Sequence, residues 1–209
     1  DHCRLHNIPL VYASSSAVYG NFEFGNDEIE NVDLLSPYAT DKYAMELYST
    51  TAHKIYQLSS VGLRFFNVYG PRQDPSSAYS GVISIFADKL LKERNITING
   101  GHQTRDFIYV KDVVNIIYSA IILASKNSIC EISNVLTGKS ITIDELAEIM
   151  MKIIDFNAEI NYQSLPLGDP AQSNGSSKKM TKLFKIELDK FTKLDKGLVN
   201  TGQFFLKEH

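Results

Sequence analysis

Two groups of polar side chains in this sequence have the residue types for acid–base chemistry. Ser14, Ser15 and Ser16 follow a short apolar run, and Tyr38 and Lys42 stand four residues apart further along. On a helix that spacing places a phenol and an ammonium on one face, one turn apart. The ammonium would favour phenolate over phenol, so Tyr38 could act as a general base near neutral pH. A serine hydroxyl could share the proton of a substrate hydroxyl with it, while hydride leaves the same carbon.

The surrounding pattern predicts the elements that position these groups. Residues 8–13 form a nearly continuous apolar run, which is typical of a strand buried on both faces of a parallel sheet. Ser36 and Pro37 then resemble the start of a helix that runs to about residue 59. Residues 60–70 are rich in valine and aromatic residues and read as a second strand. The sequence therefore predicts a βαβ unit, preceded by the end of a helix at residues 1–7.

Further elements follow along the rest of the chain. Loops are expected at 21–35, 72–81 and 168–179, strands at 96–99, 107–110 and 130–135, and helices at 82–94, 111–125, 142–154 and 180–184. The last long helix begins with a capping box of Thr142 and Glu145.

Composition excludes several classes of protein. The chain has 209 residues, 44% hydrophobic residues and a formal net charge of −3, values that predict a globular fold and give no electrostatic case for binding nucleic acid or a membrane surface. Cys3 and Cys130 are too few for a disulfide framework or a zinc site, and no histidine has metal-like spacing, so no metal is expected. The apolar stretch from Val113 to Ala124 is too short to span a bilayer, and residues 1–10 do not resemble a signal peptide. We expect reduced thiols and a cytoplasmic location.

Four motifs in order identify a family resemblance. The serine cluster, the Ser-Pro-Tyr-x-x-x-Lys segment, Leu-Arg-Phe-Phe-Asn-Val-Tyr-Gly-Pro-Arg at 63–72 and Thr-Arg-Asp-Phe-Ile-Tyr-Val-Lys-Asp at 104–112 occur at plausible separations. Together they resemble the NAD-dependent epimerase/dehydratase family of extended short-chain dehydrogenases/reductases, and within it the bacterial UDP-hexose 4-epimerases. The resemblance covers residues 5 to about 155 and is thin beyond 165.

The resemblance implies roles for individual residues. Tyr38 would be the catalytic base, Lys42 would assist it and hold the nicotinamide ribose, and Ser15 would be the third catalytic residue, with Ser14 or Ser16 as alternatives for that contact. The cofactor NAD would lie against Ala13, Ser14, Tyr38, Lys42, Phe65 and Val68. The UDP-sugar would contact Ser15, Ser16, Asn67, Gly81, Val82 and Arg105, the last through its diphosphate.

The implied fold is α/β: the C-terminal part of a Rossmann-like, doubly wound parallel sheet with a smaller α/β substrate-binding domain. Residues 1–70 would belong to the NAD-binding domain and 71–209 mainly to the substrate domain, with about 111–135 returning to the sheet. The 209 residues contain no Gly-x-x-Gly-x-x-Gly motif and do not begin with Met, so we expect a fragment of such an enzyme, or a decayed or split-gene product.

The implied reaction is inversion at C4 of a UDP-hexose through a 4-keto intermediate, in an enzyme that would be a homodimer. Related 4,6-dehydratases place an Asp-Glu pair after the serine, where this chain has Ser16-Ala17, so dehydratase chemistry is disfavoured. The alternatives are a non-catalytic remnant or interaction module, and another nucleotide-sugar dehydratase, decarboxylase or reductase of the same superfamily.

Overall fold

A computed structural model describes residues 1–29, 31–77, 80–166 and 168–208 of the chain. Glu30, Ala78, Tyr79, Leu167 and His209, some of which belong to the predicted loops, lie outside the described residues. The helices are α1 (His2–Leu5), α2 (Pro37–Tyr56), α3 (Val82–Lys92), α4 (Val110–Lys126), α5 (Ile143–Ile154), α6 (Lys178–Phe184) and α7 (Leu194–Glu208). The strands are β1 (Leu10–Ser15), β2 (Ser60–Phe65), β3 (Asn67–Tyr69), β4 (Asn95–Asn99), β5 (Thr104–Tyr109), β6 (Cys130–Val135), β7 (Ser140–Thr142) and β8 (Glu159–Gln163).

The main sheet has three parallel strands in the order β1-β2-β6. The crossover α2 connects β1 to β2, so the predicted βαβ unit and the α/β fold class are confirmed. Gly62 of β2 pairs with Tyr12 of β1, and a Cβ atom on that glycine would come within 2.5 Å of the Tyr12 phenolic oxygen. The Tyr12 ring therefore packs across its neighbouring strand where only glycine leaves room for it.

The prediction of a single strand over residues 60–70 is wrong in one respect. The structure has two strands in this segment, β2 and β3, which are separated by Phe66. The Phe66 amide donates to Val135 O at 3.1 Å, which extends the pairing of β2 with β6 by one residue. The Val68 amide then donates back to Phe66 O at 3.0 Å, and the chain continues as β3 beside β5. The change of partner strand causes the break.

A second region contains the short strands β3, β5 and β7 and the pair β4-β8. Helices α3, α5 and α7 pack together beside them around a core that includes Ile98, Leu146 and Leu198. The strands β7 and β8 and the helix α7 were not predicted from the sequence.

Helix α6 packs against β6 and α4, far along the chain from the residues it covers. Met180 and Phe184 of this helix join Val61, Leu63 and Ile116 in the core of the main sheet. None of the helices formed by the described residues is long and apolar enough to cross a membrane.

Candidate active site

The carboxyl ends of β1 and β2 form the floor of the candidate active site. Ser15 ends β1, Phe65 ends β2, and the two residues are paired in the parallel register. Ligands of open parallel sheets bind beyond the carboxyl ends of the strands. Helix α2 packs against β1 and the turn that follows it, so its first turns border this edge.

Lys42 joins α2 to β1 next to Tyr38. Ser36 caps the helix by accepting a hydrogen bond from the Ala39 amide at 3.1 Å, which fixes where α2 starts. The Lys42 ammonium donates to Ala13 O over 2.9 Å and lies 5.6 Å from the centre of the Tyr38 ring. The phenol and the ammonium therefore share one face of the helix, as their spacing predicts. Tyr38 is 44% exposed at the surface of this edge.

The three serines have different surroundings. The buried Ser14 hydroxyl donates to Glu46 Oε1 at 2.5 Å, so its proton is committed to a residue of α2. The Ser15 hydroxyl accepts from the Ala17 amide at 3.1 Å, which caps the single 3-10 turn after β1. As an acceptor in that bond, Ser15 keeps its own proton for another partner. Ser15 and Ser16 both line a cavity at this edge.

Two cavities meet at Phe66, which lies between the two sheets, and Asn67, the first residue of β3. Predicted site residues divide between them. The first cavity is lined by Ser15, Ser16, Phe65 and Arg105, and the second by Tyr38, Val68, Gly81 and Val82. Asn67 belongs to both, and its side-chain amide donates to Asp106 O at 3.0 Å. The structure therefore brings these residues to one edge, whereas Ala13 and Ser14 make their contacts with α2.

Arg105 is held by a carboxylate that the sequence did not indicate as its partner. Its guanidinium donates to Asp169 Oδ1 and, at 2.8 Å, to Thr104 O, and the residue is only 8% exposed. Asp106, the neighbouring carboxylate, instead accepts hydrogen bonds from the Thr137 and Lys139 amides. Arg105 thus presents a largely buried cation to the first cavity, paired with Asp169, a partly exposed acid that lines the same cavity.

A buried polar network lies between α2 and the main sheet, next to the candidate site. Arg64 donates to both carboxylate oxygens of Glu46, at 2.9 and 2.7 Å, and to the Tyr19 hydroxyl at 2.9 Å. Tyr19 in turn donates to Asn134 Oδ1 at 2.7 Å. Burial raises the pKa of Tyr19 to about 12, although Arg64 acts in the opposite direction, so the phenol stays protonated and can donate. Burial acts against the charged guanidinium of Arg64, but its bonds to Glu46 and Tyr19 hold its pKa above the usual value.

The sequence did not reveal this network. Its members are separated by 18 residues between Glu46 and Arg64 and by 115 between Tyr19 and Asn134, so no local spacing marks it. The one available signal was a charged arginine inside an otherwise apolar strand.

Asp27 anchors the long loop over the site. Its carboxylate accepts from the Asn134 amide at 2.7 Å. Gly20, with φ of 53°, turns the chain into this loop so closely that a Cβ there would lie 2.0 Å from Asp33 O. Phe22 and Leu35, from the two ends of the loop, line the first cavity.

Comparison with known proteins identifies the family of the chain. The family model described as "NAD dependent epimerase/dehydratase family" matches residues 1–134. A proposed UDP-glucose 4-epimerase of Methanocaldococcus jannaschii is 41% identical over an alignment of 184 residues that covers 86% of this chain and 58% of that protein. The chain spans between about half and three fifths of the length of the curated relatives it matches.

Solved structures show the same relationship. The UDP-N-acetylglucosamine 4-epimerase of Methanobrevibacter ruminantium, in complex with UDP-N-acetylmuramic acid, is 36% identical with a TM-score of 0.88, covering 99% of this chain and 66% of that one. The UDP-glucose 4-epimerase of Thermus thermophilus, in complex with NAD, is 31% identical with a TM-score of 0.84, covering 98% and 66%. The resemblance found in the sequence is confirmed: the chain belongs to the NAD-dependent epimerase/dehydratase family.

Proposed function

We propose that these residues carry out nucleotide-sugar 4-epimerase chemistry, in which a UDP-hexose is inverted at C4 with NAD as cofactor. The observation that carries this proposal is the placement of Tyr38 beside Lys42 on α2, with Lys42 bound to Ala13 O of β1 and Ser15 two residues further along that strand. The names of the relatives, which are UDP-sugar 4-epimerases, support the same reaction.

The chemistry of these donors fits NAD. Lys42 uses one ammonium hydrogen on Ala13 O and has two more for ribose hydroxyls, while Tyr38 stands beside it at the edge of the sheet. The nearby residues that would hold the cofactor are Ala13, Ser14, Tyr38, Lys42, Phe65 and Val68. The redox chemistry at C4, which is hydride loss and return to the opposite face of the keto-sugar, would be supplied by NAD when bound.

Tyr38 and Ser15 would manage the single proton of the C4 hydroxyl. Tyr38, as the phenolate, takes this proton while C4 is oxidised and gives it back to the same oxygen when C4 is reduced. Lys42 stabilises the phenolate by its charge. Ser15 keeps its proton through its bond with the Ala17 amide, so it can donate to the C4 oxygen and orient it.

The substrate would extend from this edge across both cavities. Asn67 lies where the cavities meet, Gly81 and Val82 line the second and Ser16 and Arg105 the first. The Arg105 guanidinium matches the charge and the planar geometry of phosphate oxygens. It would bind the diphosphate by exchanging its contact with Asp169 for one with substrate.

An NMR assay of UDP-glucose and UDP-N-acetylglucosamine with added NAD tests the proposal. It is run on the 209-residue chain and on the longest protein that its gene encodes. The expected result is formation of the C4 epimer of at least one of the two. Binding of UDP-sugar without conversion by either protein would contradict the proposal and favour a non-catalytic nucleotide-sugar binding protein. The cytoplasmic location and the homodimer stay predictions.

A further inference from the structure

The buried ion pair between Glu46 and Arg64 belongs to neither cavity. Glu46 is 1% exposed and Arg64 is 5% exposed, and the two form a bidentate contact in which both carboxylate oxygens are used. The pair sits at the contact of α2 with the main sheet, where parallel α/β folds ordinarily place apolar side chains.

Stability alone is a weak reason for a pair in this position. Desolvating two charges costs several kcal/mol per ion, and well-packed apolar residues of similar volume are often as stable or more stable. Removing only one partner is strongly destabilising, since the other charge is then buried without compensation. A role in geometry is the alternative, and the contacts of Glu46 point to one.

Glu46 lies one helical turn after Lys42, which lies one turn after Tyr38, so all three share a face of α2. Lys42 holds Ala13 O at 2.9 Å, and Glu46 accepts from the Ser14 hydroxyl at 2.5 Å. These two contacts attach successive turns of α2 to successive residues of β1. Ser15 is the next residue of that strand.

Arg64 connects β2 to this contact between α2 and β1. It lies opposite Ser14 in the register of β1 and β2 and orients the Glu46 carboxylate through its bidentate contact. Its remaining nitrogen donates to Tyr19, which ends the 3-10 turn that begins after Ser15. One guanidinium therefore links Glu46 of α2 to Tyr19, the last residue of that turn.

We propose that the Glu46–Arg64 pair is a positioning unit, which sets the rotation and register of α2 against β1 so that Tyr38 and Lys42 face Ser15. The inference rests on the proposed function, because it assigns the purpose of the geometry to that catalytic group. Glu46 and Arg64 act through Ser14, Tyr19 and the helix, and neither lines the two cavities.

The first experiment separates positioning from stability. Glu46→Gln and Arg64→Met each leave a partner unpaired, so both should lower the urea midpoint and kcat. The double variant Glu46→Met/Arg64→Met should regain the urea midpoint while kcat stays about 10- to 100-fold low, with the KM for UDP-sugar within about threefold of the parent value. Recovery of kcat together with stability would overturn the proposal.

A matched control uses an ion pair that lines neither of the two cavities. Glu187 and Lys190 form a surface pair at 2.7 Å with more than half of each side chain exposed. The variant Glu187→Met/Lys190→Met should leave both kcat and the urea midpoint unchanged.

A second readout needs no turnover and no cofactor. Trace acetylation with acetic anhydride, followed by mass spectrometry, reports the reactivity of Lys42 relative to the surface lysine Lys190. Loss of the α2–β1 register in Glu46→Gln or in the double variant should release Lys42 from Ala13 O and raise its relative acetylation several-fold. Unchanged Lys42 acetylation in these variants would refute the positioning role even if the parent protein showed no epimerase activity, whereas absent turnover with raised acetylation would refute only the proposed function.

Discussion

Ser14 and Ser15 are adjacent, yet their side chains serve different parts of the molecule. Successive strand residues point to opposite faces, which directs Ser14 toward α2 and Ser15 toward the cavity. The sequence left open which of the three serines acts with Tyr38. The commitment of the Ser14 proton to Glu46 favours Ser15 for that role, and the residue assignment itself stays a prediction.

Tyr38→Phe should lower turnover by about 10²- to 10⁴-fold, because it removes the proposed base and keeps the ring. The KM for UDP-sugar should change little. Steady-state assay of the epimerase reaction measures both. Tyr48→Phe is the matched control, since Tyr48 lies on the same helix with 78% of its surface exposed. Turnover within twofold of the parent value in Tyr38→Phe would show that another group is the base.

Arg105→Ala should weaken UDP binding by about 10²-fold, because a largely buried cation would no longer face the diphosphate. Isothermal titration with UDP measures the loss. Arg94→Ala is the control: Arg94 stacks on the Phe156 ring at 4.7 Å and lines neither cavity. Equal small losses in both variants would remove Arg105 from the site.

At the scale of elements, the long loop between β1 and α2 is attached to β6 through the carboxyl group of Asp27, which accepts a hydrogen bond from the Asn134 amide. Burial raises the pKa of Asp27, although the hydrogen bond from the Asn134 amide acts against this. The native state therefore keeps a proton on Asp27 at pH values where the unfolded chain has lost it. The contribution of Asp27 to the free energy of unfolding must then fall as pH rises from the ordinary aspartate value, about 3.9, through the raised native value.

Asp27→Asn should remove this part of the pH dependence, since the amide does not titrate and its oxygen can still accept from Asn134. Urea unfolding between about pH 4 and pH 7 measures it. Burial also raises the pKa of Asp106, so only the difference between parent and variant reports on Asp27. Parallel stability curves for the two proteins would contradict the assignment.

Helix α7 offers a prediction about packing. A Cβ at Gly197 would come within 2.1 Å of the Tyr69 phenolic oxygen, whereas a Cβ at Gly202 would meet no atom within 4 Å. Gly197→Ala should therefore destabilise the protein by about 1–3 kcal/mol through overpacking. Gly202→Ala should stabilise it by about 0.5–1 kcal/mol, because alanine favours the helix. Thermal unfolding of both variants gives the comparison, and equal effects of the two would contradict the observed packing.

The elements that were predictable from the sequence have strong local signals. Ser36-Pro37 marks the start of α2, and Thr142 with Glu145 forms the predicted capping box of α5. The missed elements lack such signals. Helix α7 contains Gly197 and Gly202, which lower helix propensity, and β8 is an edge strand with four of its five residues exposed. Tertiary packing determines both elements: β8 pairs with β4, and α7 packs against α3 and α5.

The candidate site likewise contains features that the sequence predicts locally and contacts that it does not predict. The spacing of Tyr38 and Lys42 was sufficient to place them on one face, because a helix fixes that relation locally. The contact of Lys42 with Ala13 O and that of Arg105 with Asp169 join residues 29 and 64 positions apart. Contacts over such separations follow from topology and have no periodicity that could reveal them.

For the whole molecule, the connection from β2 of the main sheet to β3 of the second region determines where the two cavities meet. Phe66 and Asn67 lie where the chain leaves the main sheet for β3, and both cavities meet there. A ligand spanning the two cavities would contact Ser15 and Arg105 in the first cavity and Tyr38 in the second. The break in the predicted strand is thus also the place where the two cavities with the predicted site residues meet.

The most direct test of this account follows the hydrogen at C4. UDP-glucose carrying deuterium at C4 of the sugar is incubated in ordinary water with NAD and the longest protein that the gene encodes, and the product is examined by NMR and mass spectrometry. We expect the C4-inverted product to retain the deuterium at C4, because the same hydrogen leaves and returns as hydride while Tyr38 exchanges only the hydroxyl proton. Replacement of the C4 deuterium by hydrogen from water in the inverted product would contradict 4-epimerisation by this site.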